Sequence, residues 1–98
     1  MRFKEMYDFD LLVNEAEKLI IAEMEVQLDE DKENKICRCQ DCVLDMAALA
    51  LNNVKPSYRS SFTGVVYAQQ LQDGKYMEQV KNAVRNAIEK VKKNPSHN

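Results

Sequence analysis

Residues 43–51, VLDMAALAL, restrict the fold of this chain more than any other stretch. Eight of the nine are apolar, and Asp45 is the single charge among them. They are good helix formers. At helical spacing Val43, Leu44, Met46, Ala47, Leu49, Ala50 and Leu51 cover almost the whole circumference, so this helix needs burial on most sides. A chain of 98 residues builds one modest core and is only marginally stable alone. The sequence therefore predicts that the helix is the buried spine of a homodimer.

The rest of the chain also reads as helix. Only two glycines and two prolines interrupt it, which leaves few turn signals. A first helix is predicted from near Asp10, a good N-cap residue. Leu12, Val13, Ala16, Leu19, Ile20 and Met24 recur on it at three- and four-residue spacing. Its stripe is lost after Leu28 in DEDKENK, which reads as a charged, solvated linker. The spine helix is predicted over about residues 41–52, stopped by Asn52, Asn53 and Lys55-Pro56. PSYRSSFTG reads as an ordered loop carrying Tyr58, Arg59 and Phe62, and VVYA as a short extended piece. A last helix is predicted over residues 68–93, with Leu71, Met77, Val80, Val84, Ile88 and Val91 as its stripe. Gly74 weakens it by about 1 kcal/mol relative to alanine, so a break at Asp73-Gly74 is open. Lys90, Lys92 and Lys93 suit its C-terminal end. The fold class is all-α: one small helical domain over residues 1–98, with an ordered core of roughly 8–93.

Net charge is −2, which gives no global attraction to nucleic acid. Residues 1–33 hold eleven acids against four bases, and residues 34–98 ten bases against five acids. The acidic half reads as the wet face of a helix; the basic half suits an anionic ligand. The run at 43–51 is too short to span a bilayer, and MRFKEMYDFD has no apolar signal core. A cytoplasmic protein with no membrane association is the expectation.

All three cysteines, Cys37, Cys39 and Cys42, fall within six residues at the start of the spine helix. Structural zinc takes four ligands in a tetrahedron, and C-x-C-x-x-C supplies three. A helix N-terminus stabilises thiolates, and Lys35 and Arg38 add positive charge nearby. His97, Asp41, Asp45, water and a second subunit are the options for the fourth ligand. A redox dithiol built from Cys39 and Cys42 ranks second, because no strand–helix setting precedes it. An iron–sulfur cluster ranks lower, since it usually takes four thiolates. Three buried reduced thiols would explain the composition but not the tight spacing. Zinc is the preferred reading.

His97, beyond Pro95, reads as tail rather than ligand. Asp45 is expected to be a buried hydrogen-bonding residue or one facing the cysteine loop. Tyr58 and Arg59 could stack on and pair with a nucleotide, but spacing alone favours a core-anchoring tyrosine and a solvated arginine. No catalytic set of serine, histidine and acid is present, nor a phosphate-cradling glycine loop. The expectation is a protein that is not an enzyme.

ICRCQDCVLDMAALALNNVKPSY resembles the bacterial late competence development protein ComFB family. The pattern is the cysteine cluster, an aspartate, A-L-A-L-N and a P-x-Y loop. It falls here on Cys37, Cys39, Cys42, Asp45, residues 48–52, Pro56 and Tyr58. The resemblance implies a small helical homodimer, with zinc at the cysteine cluster. It also implies a regulatory role linked to DNA uptake, and in some members reception of cyclic dinucleotides, read out by an unidentified protein partner. It maps no nucleotide pocket; Arg38, Tyr58 and Arg59 are candidates on chemistry alone. The rival functions are a thiol–disulfide redox protein using Cys39 and Cys42, and a DNA-uptake accessory without a small-molecule ligand.

Overall fold

A computed structural model describes residues 2–60 and 74–95. Phe62, the VVYA stretch, the predicted last helix ahead of Gly74 with its Leu71, and His97 lie outside the described residues. The order of elements is α1 (Phe3–Met6), a 3-10 turn (Phe9–Leu11), β1 (Val13–Asn14), α2 (Glu15–Asp29), α3 (Gln40–Leu51), β2 (Tyr58–Arg59) and α4 (Gly74–Lys93). The fold is mostly helical. It is not purely so: β1 and β2 pair antiparallel, Val13 opposite Arg59 and Asn14 opposite Tyr58.

The first long helix starts later than predicted. Asp8, not Asp10, caps the 3-10 turn, accepting from the Asp10 N–H at 3.0 Å. The cap of α2 is Asn14, whose Oδ1 accepts from the Ala16 N–H at 3.2 Å and from the Ser57 N–H at 2.8 Å. A long-range contact thus chooses among three nearby residues of similar capping ability. Of the predicted stripe, Ala16, Ile20 and Met24 are buried, joined by Leu28, whereas Leu12 is exposed.

DEDKENK is ordered rather than a plain solvated linker. The Asp31 carboxylate accepts from the Lys35 N–H at 3.2 Å and the Ile36 N–H at 2.9 Å. Asn34 reverses the chain at φ 54°, a left-handed conformation that asparagine tolerates better than most residues. Ile36 and Cys37 then reach the core edge.

The closest realisation of a helical stripe is α4. Val80, Ala83, Val84, Ala87, Ile88 and Val91 are buried, and their spacing of three and four keeps them on one face. That face packs chiefly on α3 and also on α2. Tyr76 ties α4 to the loop that follows α3, its hydroxyl donating to the Lys55 carbonyl at 2.7 Å. Among the described residues the core holds no polar or charged side chain.

The described residues do not enclose the spine helix. Only Cys42, Met46 and Ala50 of α3 are buried, and Leu44 is 57% exposed. Asp45 is also exposed, which corrects the expectation of a buried carboxylate: it lies on the side of α3 that α2 and α4 leave open.

Candidate metal centre

The cysteine loop is built from both ends. Asp31 fixes its entry through two backbone N–H groups, the Ile36 N–H foremost; with the Lys35 N–H these hold its carboxyl below the ordinary aspartate range. The exit is the start of α3, where Cys39 is the N-cap and its Sγ accepts from the Cys42 N–H at 3.4 Å. A thiol is an uncommon cap where serine or aspartate usually stands, and a thiolate fills the role better because the helix dipole favours negative charge. Cys42 is fully buried, while Cys37 and Cys39 are half-buried.

The three sulfurs lie within 4.8 Å of one another. In a zinc–thiolate tetrahedron with bonds of about 2.3 Å the sulfurs stand about 3.8 Å apart. Small rotamer changes would close that difference. The donor set therefore fits a thiophilic metal. Among the described residues no carboxylate joins the cluster, so neither Asp41 nor Asp45 stands as its fourth ligand.

Arg38 reaches the end of α2. Its guanidinium donates to the Leu28 carbonyl and stands 3.9 Å from Asp29. It thus adds a side-chain donor to a carbonyl of the last helical turn that already accepts from the Asp31 N–H at 3.1 Å. Lys35 pairs with Glu33 at 2.8 Å. Arg59 sits at the other end of α2, where it hydrogen-bonds Glu15. That contact, above all, holds the Glu15 carboxyl below its usual range. Tyr58 is 58% exposed on β2.

Arg38 and Arg59 are thus anchored at residues 28 and 15, thirteen helical positions apart. At 1.5 Å per residue that is about 20 Å. Within one chain the three candidate ligand residues do not converge, and both arginines already have partners. Sequence reasoning missed the Asp31 clamp. Its only signal was an aspartate followed by asparagine in a turn-like run, a pattern that also describes an ordinary solvated loop.

The model of the late competence development protein ComFB family matches residues 13–95. A solved structure of the late competence protein ComFB from Bacillus subtilis is similar, with a TM-score of 0.70 and 29% identity, covering 87% of this chain and 92% of that one. A search of curated proteins finds no match.

Proposed function

This chain belongs to the ComFB family of late competence development proteins, and from that premise we propose that it is a zinc-stabilised regulatory homodimer. It works in the cytoplasm by binding, with no chemistry of its own, and passes a cyclic-dinucleotide signal to a protein partner. The observation that carries the zinc reading is the convergence of three thiols within 4.8 Å at a capped helix start. Cys37, Cys39 and Cys42 would hold the ion, and its role would be structural: it would staple the loop from α2 to the first turn of α3. Among the described residues no helix is long and apolar enough to cross a membrane.

The dimer reading is supported by α3. Leu44 is exposed, and Val43, Ala47 and Leu51 are only partly covered. A second copy would remove that apolar surface from water. The nucleotide reading rests on the family. Of the three residues named on chemistry, Tyr58 has the exposed ring that stacking on a base requires.

Metal analysis of purified protein should find about one zinc per chain. Metal-free protein with a readily reversible Cys39–Cys42 disulfide would instead favour the redox alternative. Calorimetric titration with cyclic di-GMP and cyclic di-AMP tests reception. An absence of both heat and thermal stabilisation at high ligand would count strongly against it, since a ligand bound only by the folded state must stabilise that state.

A further inference from the structure

An apolar groove of about 660 Å³ runs between α2 and α3. Ile21, Met24 and Leu28 form one wall, and Val43, Leu44 and Leu51 the other. Glu17 and Glu25 line it as well, and among the described residues no basic one does. Residues 2–12 carry the complementary surface. Phe3, Met6, Tyr7, Phe9, Leu11 and Leu12 are each 46–67% exposed, and none joins the core. This segment lies outside the residues matched by the family model.

The segment is shaped for a groove. Phe3 and Met6 have the i, i+3 spacing that places them on one face of α1, and Tyr7 follows as its extended C-cap residue. The Phe3 ring lies 4.9 Å from Tyr7 and 6.2 Å from Phe9, so the apolar cap is already gathered. Lys4 falls at the flank of that face by helical geometry, and Glu5 falls on the far side. On α1 a basic flank then meets the two groove carboxylates while Glu5 faces solvent; the segment's other two acids, Asp8 and Asp10, lie beyond α1. This is the helix-in-groove mode of recognition.

We propose that residues 2–12 of one chain dock in the α2–α3 groove of a second copy, each copy giving a segment and receiving one. The inference rests on the homodimer reading above and specifies what fills its interface. The occupant is another copy because the chain's own segment does not enter its own groove. Phe9 and Leu12 stop beside Glu17, at the groove's edge. The strand pair and the Asn14 cap fix the chain just after them. Exchange of identical elements satisfies both exposed surfaces at once and closes a two-fold dimer.

The test uses the full zinc-loaded chain. The double variant Phe3→Asp, Tyr7→Asp changes only exposed rings, so its fold, checked by circular dichroism, should be kept. Its dimer dissociation constant by sedimentation should rise about tenfold or more, as for loss of aromatic anchors. A photoreactive benzoylphenylalanine in place of Phe3 is then activated in a mixture of 15N-labelled and unlabelled chains. Cross-links joining labelled to unlabelled chains at Leu44 or Ile21 are the expected result. Cross-links confined within single chains would overturn the proposal. So would a dimer whose dissociation is unchanged in the double variant, while leaving the dimer reading intact. A wild-type chain that sediments as a monomer would refute both.

Discussion

Asn14 joins two distant pieces of chain through one side-chain oxygen. It caps α2 at Ala16 and accepts from Ser57, 43 residues away. Losing an N-cap costs about 1 kcal/mol, and a partly buried N–H left without a partner adds a comparable amount. Asn14→Ala should therefore destabilise by about 1–3 kcal/mol in urea unfolding. Asn14→Asp, which keeps an acceptor at that place, should remain close to wild type. Equal midpoints for Asn14→Ala and wild type would remove the clamp from the account. The capping residue was not legible in sequence. Asp8, Asp10 and Asn14 all have the right chemistry, and Ser57, which selects among them, is far along the chain. Glu15 beside it gives a pH signature. Its folded carboxyl lies below the unfolded value near 4.5, first because of the hydrogen bond from Arg59. A depressed acid stabilises the fold above its unfolded pKa, and that contribution is lost as pH falls through the folded pKa. The stability difference between wild type and Glu15→Gln should be fully present above the unfolded value near 4.5 and fade as pH falls below it. It should be about 1 kcal/mol, since the pair is half-buried rather than exposed and hydrogen-bonded as well as charged. A difference independent of pH would show that the pair contributes nothing through its charge.

At the scale of elements, the cysteine loop separates capping from the proposed metal binding. Cys39 both caps α3 and belongs to the thiol triad, whereas Cys42 is a fully buried side chain of α3. Serine caps helices well, so Cys39→Ser should lose metal but keep the helix start. Cys42→Ser should lose metal and also place a hydroxyl in the core, costing a further 1–3 kcal/mol or so. Metal content and urea unfolding in chelator, measured on both variants, distinguish the two roles. Equal stability of the two metal-free variants would contradict them. The thiol triad was legible because its spacing is local and belongs to one turn of chain. The Asp31 clamp was not, because DEDKENK is as charged as any solvated linker; what orders it is one carboxylate turned onto backbone N–H groups. The stripe of α4 was plain in sequence for the opposite reason: its partners, α2 and α3, cover one face, and the apolar period reports that face directly.

At the scale of the whole molecule, the loop and the groove are mechanically one unit. Leu28 and Val43 line opposite walls of the groove, and the chain between them is the segment that Asp31 and Arg38 hold in place and that carries the three cysteines. Whatever fixes that segment also fixes the distance between α2 and α3. The over-apolar character of residues 43–51 announced that α3 needed a neighbour, but not which side stayed open: α4 takes the face of Met46 and Ala50 and leaves Leu44 outward. If the second copy seats in this groove and zinc holds the loop, the two equilibria are linked, and each must strengthen the other by the same factor. Stripping zinc with a strong chelator should therefore raise the dimer dissociation constant by roughly 5- to 150-fold, the usual range of such coupling. It should do so at temperatures where circular dichroism shows the helices intact. Sedimentation over a range of protein concentrations, with and without chelator, measures the shift, and zinc affinity at high and low protein concentration measures its reciprocal. A dimer that holds equally well without metal would place the second copy on a surface independent of the loop. The outward face of Leu44 would then have to be covered by something other than a groove whose width the cysteines set.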